Sequence, residues 1–261
     1  MKRAIAKVLP ILVGIGLGVL ILNPPSWLRE LGPVAFLVTG TLAAVLLVGF
    51  VAFIIAANLP ERISLAEVPE ERVPAELRAL AEQFRALGFE PAGPPYEVGV
   101  SPPGIMLPFV HAEARSYGTA FRTSTVPAKT AYDVVSLLEA ERGGLTSCAD
   151  PAGTSLPAGA GELRQVISGA TPDALFEQHR QALAWLERQG VRARSVSASA
   201  FAGDFQSSIA HQRRTFLASP LRHAAVAIWR SATRTTPHRG PLHLQAIAAR
   251  QLRELRTGVR G

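Results

Sequence analysis

The chain has 261 residues, a mean hydropathy of +0.20 and a formal net charge of +7, and only 18% of its residues are charged. Soluble domains carry roughly 25% charged residues, so this composition indicates that part of the chain is built for lipid. Its apolar content excludes a wholly disordered chain, and the single cysteine, Cys148, excludes a disulfide scaffold.

Two apolar runs near the N-terminus predict a transmembrane hairpin within residues 1–60. The second run, residues 34–57, carries no charge and is long enough for a helix across a bilayer core of about 30 Å. The first run, residues 4–22, is marginal because it contains Lys7 and Pro10. A signal peptide is the alternative for the first run, but no small-residue cleavage site follows it, and the second run favours a hairpin.

Small residues offer a way for the two predicted spans to pack closely. Gly14 and Gly18 are four residues apart on the first span, and Gly40 and Ala44 repeat this spacing on the second. Such spacing lets two helix backbones approach each other in a membrane. We favour packing between the two spans, and self-association through the same face is the alternative.

The distribution of basic residues predicts the orientation of the hairpin. The connector between the two runs has one basic residue, Arg29, whereas both outer flanks are basic through Lys2, Arg3, Lys7, Arg62 and Arg72. Basic flanks favour the cytoplasmic side of a membrane. We therefore expect a protein of the cell inner membrane with both termini in the cytoplasm and with the lipid bilayer as a partner.

Residues 61–195 predict a cytosolic α+β domain. Apolar stripes at helical spacing predict one helix that ends at Gly88 and a second that ends at Gly190. Between them, short β-branched and aromatic runs are broken by proline and glycine, which is typical of an antiparallel sheet. We expect the helices to flank this sheet. Residues 131–139 fit either a strand or a short helix.

The charge changes sign along the soluble part of the chain. Residues 61–179 hold nine basic and sixteen acidic residues, whereas residues 180–261 hold fourteen arginines and three acidic residues. We assign residues 196–261 to an arginine-rich helical C-terminal segment. One amphipathic helix is predicted after Pro220 and a last one near Leu255.

This arginine-rich segment is the clearest sign of a binding surface outside the core. Basic residues near an anionic leaflet contribute about 1 kcal/mol each, so we expect contact with the membrane or with anionic lipid headgroups. The residues expected to make it are Arg222, Trp229, Arg230, Arg250, Arg253 and Arg256. The alternatives are solvated helices, contact with the acidic domain and a membrane protein partner. Nucleic acid is the least favoured partner, because no signature of a nucleic-acid fold is present.

No motif for catalysis, cofactor binding or metal binding is present. The six histidines lack metal-ligand spacing, and the chain has neither a phosphate loop nor a nucleophile elbow. His179 lies on an apolar stripe and is predicted to be a half-buried histidine with a polar partner. Cys148 would be a nucleophile only if folding brought His111 and Asp133 close to it. We therefore predict no catalytic residue, no cofactor and no metal site.

These features lead us to expect a membrane-anchored cytosolic module that binds or scaffolds a partner and does not catalyse a reaction. One alternative is a membrane-tethered enzyme, such as a hydrolase whose site is assembled from distant residues. Another is an accessory subunit of a larger membrane complex. A pocket with convergent polar groups would favour the enzyme.

Overall fold

An apolar helix, α1 (Gly32–Asn58), opens the structure, a computed structural model that describes residues 32–99, 103–124, 126–139, 143–149 and 162–233. Its segment Gly40–Ala57 is long and apolar enough to cross a membrane, and no other helix among the described residues meets both conditions. The helix coincides with the second predicted span. The first predicted span, residues 4–22, lies outside the described residues, so the two-helix hairpin stays a prediction.

The soluble part is built on a mixed eight-stranded sheet. The strands are β1 (Leu65–Glu67), β2 (Glu90–Pro91), β3 (Tyr96–Val98), β4 (Gly104–His111), β5 (Ser116–Thr123), β6 (Thr130–Leu137), β7 (Gly144–Cys148) and β8 (Glu162–Val166). They pair in the order β1-β3-β4-β5-β6-β7-β8, and β2 pairs with β4. The predicted α+β class is therefore confirmed, and the ambiguous stretch within residues 131–139 is a strand up to Leu137.

One strand pair corrects the prediction of an antiparallel sheet. Strands β7 and β8 run parallel, whereas the other pairs of strands are antiparallel. A parallel pair needs a crossover of about a dozen residues or more, and residues 149–161 supply one of that length. Side chains alternate between the two faces with the same period in parallel and antiparallel strands. The sequence pattern therefore does not show in which direction β8 runs relative to β7.

Two helices cover one face of the sheet, as predicted. Helix α2 (Ala75–Ala86) and helix α3 (Pro172–Arg188) bury apolar side chains against strands β4 to β8. Phe84 of α2 stacks on Phe109 with ring centroids 5.0 Å apart, and Leu175 of α3 joins the same cluster. Gly88 and Gly190 follow the two helices with φ values of +87° and +82°, a conformation that glycine adopts at little cost.

A third helix covers part of the opposite face. Helix α4 (Phe201–Ala218) packs Phe201, Phe205 and Ile209 against Tyr117 and Val110 of the sheet. Short 3-10 turns precede α2 and α4, at Glu70–Arg72 and Ala198–Ala200.

The last described helix, α5 (Pro220–Thr233), packs against α1. Phe216 at the end of α4 and Ala224 of α5 are buried with Ala52 of α1. The helix predicted after Pro220 is therefore present, and the last helix predicted near Leu255 lies outside the described residues.

Candidate functional site

A cleft of about 660 Å³ opens between α4 and the part of the sheet that α4 leaves uncovered. Its floor consists of alternate residues of β6, β7 and β8, because side chains two positions apart project from the same face of a strand. Val135, Thr146 and Arg164 are register neighbours across these three strands, and all three line the cleft. The loop before α4 contributes Arg194 to the rim.

The floor carries an ion pair that is largely shielded from solvent. Arg164 Nη2 lies 3.0 Å from Glu162 Oε2, and the two side chains are 11% and 12% exposed. Strand β8 presents both charges to the cleft, while Leu163 and Gln165 are buried on its other face. Shielding from water weakens salt screening of this pair, so the two side chains are held in place more firmly than a surface pair.

His211 of α4 approaches the same carboxylate from the opposite wall. Its Nε2 atom lies 3.8 Å from Glu162 Oε1, beyond hydrogen-bonding distance. This nitrogen is buried and has no hydrogen-bond partner among the described residues. It is therefore a polar group in the cleft whose bonding capacity the described protein leaves unused.

Asp204 anchors the first turn of α4 beside the cleft. One carboxylate oxygen accepts a hydrogen bond from Arg194, and the other accepts one from the Tyr117 hydroxyl at 2.8 Å. The same hydroxyl lies 3.1 Å from the Ser197 carbonyl oxygen. Burial, followed by the hydrogen bond to Asp204, raises the pKa of Tyr117 to about 12. Tyr117 therefore acts as a neutral donor, and both oxygens of Asp204 are engaged within the protein.

Hydroxyl and cationic groups line the remainder of the α4 wall. Ser207, Ser208, Gln212 and Arg214 all border the cleft. The two serines precede His211 by one helical turn, yet no hydrogen bond joins either serine to His211 in the described part of the chain. A serine nucleophile needs such a bond to a base.

The folding of the chain brings Asp133 and Cys148 together but outside the cleft. They are register partners on β6 and β7, and Thr119 donates a hydrogen bond to Asp133. Burial raises the pKa of Asp133 to about 6, although Thr119 and the nearby Arg164 oppose the shift. The buried Cys148 thiol contacts the Gln165 carbonyl oxygen at 3.6 Å.

The histidines considered alongside Cys148 lie elsewhere. His111 packs against Phe89 and Phe176, with ring centroids 5.1 and 5.2 Å apart, beneath the helices of the opposite face. The structure therefore does not assemble the nucleophilic group of Cys148, His111 and Asp133.

His179 is the centre of a buried polar network under α3. Its Nε2 lies 2.9 Å from Ser136 Oγ and its Nδ1 lies 2.8 Å from Ser147 Oγ. Ser136 in turn contacts Ser116 at 2.8 Å, and the four side chains of this network are fully buried. Burial lowers the pKa of His179 to about 3. The residue has the polar partners that the sequence predicted, but it is fully rather than half buried.

The predicted lipid-contact residues fall partly within the structure. Arg222 is exposed on α5, whereas Trp229 and Arg230 belong to α5 with side chains that are not described. Arg250, Arg253 and Arg256 lie outside the described residues. The lipid contact stays a prediction for all of them.

The predicted helix-packing residues are also only partly described. On α1, Ala44 is exposed and a Cβ atom built on Gly40 would meet nothing within 4 Å. Their predicted partners, Gly14 and Gly18, lie outside the described residues. The contact that the structure does describe on α1 is made by Ala52 and its neighbours.

Sequence reasoning missed the residues that form the cleft. Glu162 and Arg164 occupy alternate positions of a strand, and this alternation of charged residues was the signal that the sequence offered. Helix α4 was not singled out either, although Phe201, Phe205 and Phe216 lie at helical spacing. No spacing rule joins β8 to His211, because only the fold brings them together.

Comparison of the chain with protein-family models, with curated proteins and with solved structures finds no match. The described residues also contain no group of three or more histidine, cysteine or acidic side chains that would hold a metal ion.

Proposed function

We propose that this chain is a membrane-anchored binding module whose ligand site is the cleft between α4 and the sheet. The observation that supports it is the double role of α4. Its first three turns supply Asp204, Ser208 and His211 to the cleft, and its last turns contact the end of the membrane helix. Arg213 Nε donates a hydrogen bond to the Leu59 carbonyl oxygen at 3.2 Å. Ligand binding would therefore take place beside the membrane.

A binding role agrees better with the cleft than hydrolysis does. The carboxylates of Glu162 and Asp204 are engaged with arginines, and neither Ser207 nor Ser208 is hydrogen-bonded to His211 within the described residues. General-base catalysis needs a base within hydrogen-bonding reach of the proton that it removes.

The test of binding uses the full chain in an uncharged detergent. Compounds grouped by chemical class, namely phosphates, carboxylates, amines and neutral sugars, are screened by the thermal unfolding midpoint, which a ligand of the folded state raises. We expect at least one class to raise it, and Ser208→Trp, which fills the cleft, to abolish the shift. Gln181→Trp on the exposed side of α3 is the matched control. If no class raises the midpoint, or if Ser208→Trp retains the shift, the proposal fails.

The finer topology is part of the same proposal. We place two spans in the inner membrane, with both termini in the cytoplasm, because α1 has the required length and its outer flanks are basic. A reporter fused after Gly261 should be active only in the cytoplasm, and one inserted near Ser26 only outside it. Periplasmic activity of the C-terminal fusion would contradict this orientation.

The exposed Arg222 supports the proposed contact of α5 with anionic lipid headgroups. Backbone amide exchange of α5 is compared for the full chain in neutral nanodiscs and in nanodiscs with anionic lipid. We expect slower exchange with anionic lipid at low salt, and Arg222→Gln should reduce this difference. Equal exchange in the two membranes would rule out the contact.

A further inference from the structure

We infer that the cleft binds the phosphate group of a phosphate monoester, with the ester's organic part against the apolar floor. This inference rests on the proposed binding function and names the chemistry of its ligand. The inference is based on the polar groups of the cleft. Some of them already bond to other groups of the protein, and the others remain available to a ligand.

Two of the three carboxylates that line the cleft are engaged within the protein. Glu162 faces Arg164 at 3.0 Å and His211 at 3.8 Å, and both oxygens of Asp204 accept hydrogen bonds from Arg194 and Tyr117. The third, Glu139, is exposed and makes no ion pair with a described residue. A cationic ligand could pair with Glu139, but at Glu162 or Asp204 it would have to displace the internal donors.

The hydrogen-bond donors of the cleft, by contrast, are largely available to a ligand. Arg214 makes no ion pair with a described residue, and His211 Nε2 is buried without a hydrogen-bond partner among them. Arg194 is 45% exposed and uses one of its five N–H donors on Asp204. The hydroxyls of Ser207 and Ser208 stand beside these groups. The available capacity of the cleft is therefore that of a donor set, which suits an anion.

The placement of the donors favours phosphate over carboxylate. They come from two directions, with Arg194 on the rim before α4 and with His211 and Arg214 on α4 itself. A terminal phosphate has three strong acceptor oxygens in a tetrahedral arrangement, whereas a carboxylate has two in a plane. A tetrahedral group offers acceptors in more than one direction, and guanidinium groups bind phosphate through paired hydrogen bonds.

The apolar residues of the cleft account for the organic part of the ligand. Val135, Leu137 and Leu138 line the floor next to the charged groups, and the volume of about 660 Å³ exceeds that of a phosphate ion. Because α4 also contacts α1, the ester is either a soluble compound or phosphatidic acid, the phospholipid whose headgroup is a phosphate monoester. Both carry the same phosphate chemistry.

The test measures equilibrium binding to the full chain in uncharged detergent by isothermal titration calorimetry. The probes are phenyl phosphate, inorganic phosphate, phenylacetate and dihexanoyl phosphatidic acid. We expect phenyl phosphate to bind more tightly than inorganic phosphate, and phenylacetate to bind at least about fivefold more weakly than phenyl phosphate. Tighter binding of dihexanoyl phosphatidic acid than of phenyl phosphate would identify a lipid headgroup as the source, and the reverse order a soluble ester.

Two variants connect the binding to the cleft. Arg214→Gln and His211→Leu should each raise the Kd of phenyl phosphate about fivefold to tenfold, because the first removes the guanidinium charge and the second removes a donor to the phosphate. Arg78→Gln is the matched control for Arg214→Gln, since Arg78 is exposed on α2 far from the cleft and its loss changes the net charge equally. Arg214 is exposed, so its replacement leaves the fold intact even where His211→Leu does not.

Three outcomes would overturn the inference. They are binding of phenylacetate as tight as that of phenyl phosphate, no binding of any phosphate probe, and an equal effect of Arg78→Gln and Arg214→Gln. Stabilisation by another class of compound, lost in Ser208→Trp, would overturn the phosphate assignment while leaving the binding function in place. The two proposals can therefore fail separately.

Discussion

Gln206 and Ile63, which are 143 residues apart in sequence, are joined by two hydrogen bonds that use both ends of one side-chain amide. Oε1 of Gln206 accepts from the Ile63 backbone nitrogen at 3.0 Å, and Nε2 donates to the Ile63 carbonyl oxygen. Ile63 lies in the linker between α1 and the sheet and is itself buried in the core cluster with Phe201. The contact therefore fixes the linker that follows α1 onto α4, the helix that lines the cleft.

The first prediction concerns this contact. Gln206→Ala leaves the two backbone groups of Ile63 without their partner, so we expect the free energy of unfolding to fall by about 1–3 kcal/mol. Gln206→Glu replaces the donor with a carboxylate oxygen that faces the Ile63 carbonyl oxygen, so its effect should be at least as large. Amide exchange at Ile63 should accelerate in both variants. The control is Gln181→Ala, which removes one hydrogen bond on the exposed surface of α3. Unchanged exchange at Ile63 in Gln206→Ala would refute the clamping role.

The second prediction concerns the histidine buried under α3. The pKa of His179 falls from 6.5 in the unfolded chain to about 3 in the fold, so the folded state binds fewer protons between these pH values. Stability is therefore fully present above pH 6.5 and declines by about 1.4 kcal/mol per pH unit as the pH falls through this range. His179→Gln, which does not titrate, should remove this decline. The measurement is the free energy of unfolding in denaturant between pH 3 and pH 8.

The third prediction follows from Asp133, whose pKa shift has the opposite consequence. Its pKa rises from 3.8 to about 6 on folding, so stability is highest below pH 3.8 and declines as the pH rises towards 6. Between about pH 4 and pH 6 this slope opposes that of His179, and the two nearly cancel in the unmodified chain. Asp133→Asn should therefore expose a rising slope in this window and stabilise the protein near pH 7 by about 1–3 kcal/mol.

The same series of measurements supplies the control for Asp133. His179→Gln should show a stability that falls as the pH rises from 4 to 6, because the slope from Asp133 is then no longer opposed by that of His179. Parallel pH profiles for Asp133→Asn and His179→Gln would contradict both assignments.

His179 also shows what the sequence can and cannot predict. The apolar stripe of α3 and the glycine after it predicted the helix and placed His179 on its buried side, because helical period and capping are local properties. The serine partners on β6 and β7 could not be predicted, since register decides them. The same limit applies to the cleft, where the parallel pairing of β8 places Glu162 beneath His211.

The contact between α1 and α5 depends on the path of the chain rather than on strand register. Ala52 and Ala224 are 5% and 0% exposed and are buried with Phe216, so small side chains let the two helices approach closely. The sequence predicted packing of Gly40 and Ala44 against the first apolar run, which lies outside the described residues, and it did not predict the contact with α5. Which position of α1 a second helix uses depends on the path of the chain through α4, and local spacing does not encode that path.

The last prediction tests this packing. Ala52→Phe places a large side chain where α1 meets Phe216 and Ala224, so we expect the free energy of unfolding to fall by about 1–3 kcal/mol through overpacking. Ala57→Phe is the matched control, because Ala57 lies on the same helix but is exposed. Amide exchange of α5 in nanodiscs should accelerate in Ala52→Phe and stay unchanged in Ala57→Phe. Because α4 joins α5 to the cleft, Ala52→Phe should also weaken phenyl phosphate binding, whereas equal affinity in both variants would mean that the membrane contact and the cleft act independently.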